Sequence, residues 1–202
     1  MKKILTAAIF ALLITASAAL AADIMLTTPT KTGGPSVLEA ISNRQSATVF
    51  ARRDVDLKEL STILWAATGK NREPKGWTIP LAMGQSPYVS VYVITKDGCF
   101  LYDWEKGMLK QTSDKKMLTK AGTQAFVGTA PVILVFTTKG SGPRIDNWAE
   151  IAVGAMSQNV YLEAEALDMK TRFVVSFNKM ALIDALNIGP LSRIIAIMPI
   201  GY

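Results

Sequence analysis

The sequence predicts an α+β domain. Three observations lead there: apolar runs of strand length and runs of helical period are mixed without a regular βαβ alternation, a hairpin is legible in the middle of the chain, and one helix near the C-terminal third exceeds all others in length. The chain has 202 residues, half of them hydrophobic and 19% charged, with a formal net charge of +6. Lys2-Lys3 precede an uncharged apolar run from Ile4 to about Leu20, and Ala19-Leu20-Ala21 supplies small residues before Ala22. This is the pattern of a Sec-type secretory signal, 1–21, with export to the periplasm or medium and no stable membrane insertion after cleavage. Removal of the signal lowers the charge to +4 and leaves 181 residues, a single domain, 22–202, with enough chain for a core of its own.

The elements follow in order. Ser36-Val37-Leu38-Glu39 reads as a capping box, and Val37, Leu38 and Ile41 would give a short helix one buried face before it stops near Asn43. Asp56 and Glu59 cap a second helix with Leu57, Leu60, Ile63, Leu64 and Ala67 on one face, and Gly69 ends it. Tyr88 to Thr95, the turn Lys96-Asp97-Gly98 and Cys99 to Tyr102 read as a β-hairpin. A helical segment is expected within Ser113 to Lys120, and Pro131 to Thr137 suits a central strand. The longest helix is expected from Asn147 to Leu167, with Trp148, Ile151, Ala152, Ala155, Leu162 and Ala166 on one face and Val153, Met156, Val160 and Leu167 on a second strip. A strand near Arg172 to Val175, a helix from Lys179 to Leu186 and a strand from Ile194 to Ile200 complete the chain. Thr27 to Pro35 and Lys139 to Pro143 look like connections.

Composition removes several chemistries. With no histidine there is no Ser-His-Asp or Cys-His pair, no His-ligated zinc and no imidazole acid/base catalyst. The single Cys99 allows no intrachain disulfide and reads as a small buried residue in a strand. Acidic residues show no metal-loop spacing, so no metal site is expected. Lys106, Lys110, Lys115, Lys116 and Lys120 alternate with Glu105 and Asp114 as a solvated face, and no Arg/aromatic stripe suggests nucleic acid. Gly140-Ser141-Gly142 runs into Pro143 and does not open a dinucleotide helix; a loop is the simpler reading. An enzyme with this inventory would borrow its reactive centre from a cofactor.

Three segments taken together carry more information. They are Arg44-Gln45-Ser46-Ala47-Thr48-Val49-Phe50, Leu64-Trp65-Ala66-Ala67-Thr68-Gly69-Lys70-Asn71-Arg72, and Thr78-Ile79-Pro80-Leu81-Ala82-Met83-Gly84-Gln85. In their order and spacing they resemble the FMN-dependent nitroreductase family, particularly its azoline-dehydrogenase-like branch. The resemblance extends through Val91-Tyr92-Val93, Asp97-Gly98, Tyr102-Asp103, Gln158-Asn159-Val160-Tyr161-Leu162-Glu163-Ala164 with Ala166-Leu167, and Ile200-Gly201-Tyr202. It implies a central, mostly antiparallel sheet flanked by helices, and an FMN-dependent oxidoreductase that moves hydride by ping-pong to or from a small organic substrate. NAD(P)H is the implied co-substrate, and a homodimer with flavin sites at its interface the implied assembly. By the same resemblance Arg44, Gln45 and Ser46 would serve the FMN phosphate, and Pro80, Leu81, Ala82, Met83 and Gly84 would lie along the flavin ring.

The chain departs from the family pattern at identifiable points. Gln45 stands where a second basic residue is usual, Thr48 where a Lys or Arg is usual, and Leu81 replaces the loop serine; Asp168-Met169-Lys170 replaces Gly-Leu-Gly. A non-enzymatic periplasmic binding or interaction protein on the same fold is the alternative expectation.

Overall fold

The computed structural model describes residues 22–74, 76–80 and 88–202. The expected signal, 1–21, lies outside them. Among the described residues seven strands, β1 (Ile24–Met25), β2 (Val89–Thr95), β3 (Gly98–Asp103), β4 (Met108–Ser113), β5 (Val132–Thr138), β6 (Lys170–Thr171) and β7 (Ile194–Gly201), form one sheet in the order β1-β4-β3-β2-β5-β7-β6, and every neighbouring pair is antiparallel. The sheet is built outward from β5 (Val132–Thr138), whose seven residues are all buried. Its period of two decides what lies on either side. Val132, Leu134 and Phe136 enter one core with helices α2 (Leu57–Thr68) and α4 (Pro143–Ala166), while Ile133 and Val135 enter a second core with α5 (Lys179–Leu186) on the opposite face. A strand covered on both faces needs apolar residues at consecutive positions, and the Val-Ile-Leu-Val-Phe run supplies them.

Beside β5 lies the expected hairpin, β2 (Val89–Thr95) and β3 (Gly98–Asp103), closed by Lys96-Asp97 with Thr95 opposite Gly98. Glycine is required at 98 because a Cβ there would come 2.6 Å from the Ser113 carbonyl oxygen, at a φ of +149°. On the other side of β5 is β7 (Ile194–Gly201), and α5 (Lys179–Leu186) has the expected bounds. Helix α2 (Leu57–Thr68) carries a full capping box, in which the Asp56 carboxylate accepts from the Glu59 N–H at 2.8 Å and Glu59 accepts from the Asp56 N–H at 2.9 Å. The side chains of Leu60, Ile63, Leu64 and Ala67 are buried against the sheet, and Cys99 is likewise buried.

Several expectations are corrected. Met108–Ser113 is a strand, β4, that the sequence reading passed over, and the helix foreseen around 113–120 shrinks to the single turn of α3 (Leu118–Ala121). Lysine, glutamine and threonine in β4 masked its alternation. The strand expected at 172–175 is β6 (Lys170–Thr171), two residues earlier, with Val174 adding an isolated bridge to Ile197. The segment expected as a connection from Thr27 begins just after β1 (Ile24–Met25), and it is tied to α2: the Thr27 and Thr30 N–H groups donate to Ser61 Oγ and Thr62 Oγ1 at 3.1 and 3.0 Å.

Helix α4 (Pro143–Ala166) starts a turn earlier than expected, with Pro143 at its first position. Its buried stripe is Ala149, Ala152, Val153, Met156, Val160 and Ala164, so the strip read as secondary is the main one, and Ile151 points to solvent. Helix α1 (Val37–Asn43) has its predicted capping box but not its predicted face. Only Ala40 is buried, while Val37, Leu38 and Ile41 are 67%, 80% and 53% exposed.

The turn after α2 depends on a close approach. At Gly69 a Cβ would stand 2.7 Å from the Trp65 carbonyl oxygen and closer still to the indole ring. Backbone and indole would both have to yield, so Gly69→Ala should destabilise the protein by about 1–3 kcal/mol, the cost typical of forced overpacking. Urea denaturation would measure it; an unchanged midpoint would contradict this account of the turn.

Candidate functional site

Helix α1 ends where the Arg44 N–H bonds back to Ala40 O at 3.0 Å, and the chain leaves in an extended conformation. Ser46 then forms a parallel bridge with Thr171, and the Ala47 N–H donates to Thr171 O at 3.0 Å. These contacts fix residues 44–46 between the sheet edge and α4. There they meet Tyr161. Its hydroxyl accepts the Phe173 N–H at 2.8 Å and lies 2.7 Å from Ser46 Oγ, while the Arg44 guanidinium sits over its ring, 4.9 Å from the centroid. Arg44 Nε is buried without a hydrogen-bond partner.

An arginine in that condition is prepared for an anion. Stacking fixes the plane of the guanidinium, and burial leaves one N–H donor unsatisfied, which is unfavourable until an acceptor arrives. The Ser46 hydroxyl adds a second polar group beside it. Arg44 is half-buried, whereas Gln45, Ser46 and Thr48 are exposed. Tyr161 and Phe173 were not foreseen as site residues. The available signal was a tyrosine on an apolar helix strip, since a buried phenol needs a partner for its hydroxyl.

The other expected segment is held elsewhere on α4. Asn159 Nδ2 donates to Ala66 O and to Thr78 O, both at 3.0 Å, and so ties α4 to α2 and to the strand of chain that leads to Pro80. Pro80 itself is exposed. Leu81, Ala82, Met83 and Gly84 lie outside the described residues. Residues two apart on an α-helix point about 200° apart. Asn159 and Tyr161 therefore occupy opposite flanks of the buried stripe, and Arg44 and Ser46 are gathered on one flank while the approach to Pro80 is anchored on the other.

Between α1, α2 and α4 lies a cleft of about 360 Å³, whose walls include Ala40, Trp65, Thr78, Asn159 and Glu163. Thr78 Oγ1 is buried without a partner. Burial pushes the Glu163 carboxyl above its ordinary value of 4.5. A raised folded-state pKa means that the native state holds its proton more tightly than the unfolded state does. The associated stability is complete below pH 4.5 and is lost as pH rises through the elevated folded-state value.

Two outcomes follow. Glu163→Gln should raise the melting temperature at neutral pH relative to the parent protein, with the difference closing in acid; a parallel offset at every pH would remove burial as the cause. Tyr161→Phe deletes the acceptor of the Phe173 N–H and the partner of Ser46, and should cost about 1–2 kcal/mol in chemical denaturation.

Comparison with known proteins identifies the fold and the family. The nitroreductase family profile matches residues 41–202. A candidate nitroreductase of Methanocaldococcus jannaschii is 28% identical over 179 residues, covering 81% of this chain and 89% of that protein. Among solved structures, a candidate nitroreductase of Ralstonia eutropha superposes with a TM-score of 0.81 at 28% identity, covering 89% of this chain and 88% of that one. A candidate nitroreductase of Anabaena variabilis shares the fold at a TM-score of 0.71 and 16% identity, covering 90% of this chain and 41% of that one. The antiparallel α+β architecture is the one these structures have, and with the profile spanning most of its length the chain belongs to the nitroreductase family, a family of oxidoreductases that generally use a flavin.

Proposed function

We propose that the protein is an FMN-dependent oxidoreductase, exported to the periplasm after loss of residues 1–21, that works as a homodimer on a small organic substrate. The observation that carries this reading is the stacked, half-buried Arg44 with its unpartnered Nε beside the Ser46 hydroxyl. Both suit a dianionic phosphate, which a guanidinium can grip through two parallel N–H donors. When bound, FMN supplies the redox centre through which hydride passes by ping-pong, with NAD(P)H as the donor to it or a small organic substrate on either side of the exchange. Arg44 and Ser46 hold the phosphate end, and Tyr161 keeps both in place. By the family resemblance Pro80, with Leu81, Ala82, Met83 and Gly84 beyond the described residues, would serve the ring.

The dimer has a structural argument behind it. Within one chain Arg44 and Ser46 are held on one flank of α4 by Tyr161, and Thr78, on the approach to Pro80, is held on the other by Asn159. A second copy brings the flank of one protomer to the other flank of its partner, and completes two equivalent sites. The apolar residues that such a contact needs stand exposed on α1: Val37, Leu38 and Ile41, with Ile151 of α4 57% exposed as well. An isologous interface buries this stripe on both protomers at once.

Titrating the purified mature chain with FMN should give a yellow holoprotein. Arg44→Ala should weaken FMN binding by at least about tenfold, the value of one charge-assisted contact, while Arg52→Ala, at an exposed position, should change it little. Absence of a flavin spectrum at high FMN would sink the enzyme reading and favour the non-enzymatic binding protein. Sedimentation of Leu38→Asp/Ile41→Asp should show a monomer where the parent protein sediments as a dimer.

A further inference from the structure

A second cleft, of about 310 Å³, opens on the far side of Trp65, between the segment after β1, the end of α2 and the β3–β4 turn. Its walls include Trp65, Tyr102 and Trp104, and three lysines reach it, Lys31, Lys70 and Lys106. Two of the ammonium groups are already laid against indole rings: Lys31 Nζ is 5.4 Å from the Trp65 centroid and Lys70 Nζ 5.5 Å from that of Trp104. Trp104 is fixed in turn by an edge-on contact with Trp77, centroids 4.5 Å apart. Among the described residues no aspartate or glutamate lines the cleft. Of the nearby carboxylates, Glu73 pairs with Lys70 at 3.2 Å but is itself mostly solvated, and Asp103 is engaged by Lys110 at 2.6 Å. Burial, and then the neighbouring Asp103 charge, push the Tyr102 phenol up to about 12, so it stays a neutral hydrogen-bond donor.

Aromatic walls, three converging cations and one neutral phenol suit a ligand that is flat and apolar over most of its surface and anionic at one end. We infer that this cleft binds a small aromatic carboxylate, at a site separate from the proposed flavin site and independent of that assignment. Cation–π contacts pre-position Lys31 and Lys70, which lowers the ordering cost of meeting the anion. The volume is at the lower end of small-molecule sites and fits one or two fused rings. Trp65 forms part of the wall of both clefts.

The test uses 2-naphthoate and its neutral counterpart 2-naphthamide, titrated calorimetrically at low salt into the purified protein with and without added FMN. The expected result is saturable binding of 2-naphthoate that added FMN does not displace, with 2-naphthamide about tenfold weaker. Lys31→Ala/Lys106→Ala, both exposed positions whose truncation leaves the core intact, should lose about tenfold affinity for 2-naphthoate, and Lys115→Ala/Lys116→Ala none. Equal affinity for acid and amide, an unchanged double variant, displacement by FMN, or no binding of 2-naphthoate at all would each overturn the assignment.

Discussion

The burial of one stripe of α4 on the sheet is the constraint from which the site follows. With Met156, Val160 and Ala164 committed to the core, the helix has no rotational freedom left, and the residues on either shoulder of the stripe must emerge on opposite sides. One shoulder carries Asn159, whose amide hydrogens are both given to main-chain carbonyls from α2 and from the segment ahead of Pro80. The other carries Tyr161, which collects Ser46, Arg44 and the Phe173 N–H. A rotation of α4 sufficient to bring the two shoulders together would drag polar groups into the core, which costs more than any contact it could gain. The separation of the Tyr161 cluster from the Asn159 anchor is therefore a property of the packed core, and the proposed dimer would bring the two flanks together across its interface.

The same constraint accounts for α1. Helix α4 is screened from water on its inner side by the sheet and on one outer side by α1, whose own apolar residues are left facing out. A seven-residue helix with one buried alanine has little reason to be stable alone. Its capping box helps, and the remainder of its stabilisation must come from tertiary contact with α4 and from whatever covers Val37, Leu38 and Ile41. Arg44 and Ser46, the proposed phosphate-binding residues, lie immediately after this helix, so the covering of α1 and the order of Arg44 are linked through a single turn of backbone.

Much of this was legible in the sequence. Where a local pattern has one strong physical cause, the reading and the structure agree: the Asp56/Glu59 box and Gly69 for α2, the uninterrupted apolar run of β5, the Lys96-Asp97-Gly98 turn, and the bounds of α5. The reading failed where the deciding information was non-local. The strand β4 places lysine, glutamine and threonine on a partly solvated face, so its alternation was weak against a noisy charge pattern. The apolar face of α1 could be recognised but not its direction, because a sequence does not say which apolar surface meets the core. Of the residues gathered at Tyr161, Arg44 and Ser46 enter as candidates through the ordered motifs, whereas Tyr161 stands in a motif without a role. Its role depends on a residue 115 positions away arriving beside it, and that is fixed only by the sheet edge.

The antiparallel pairing around β5 has a kinetic consequence. Val135 pairs with Tyr92 on one side and Ile197 on the other, so the central strand is completed only when chain from well before it and well after it have both arrived. Closing such long loops before any reward is collected makes folding slow for a domain of this size. Until β7 docks, one edge of β5 is open and its apolar residues lack half their cover. The strand β7, last in chain order among the described strands, thus closes the core.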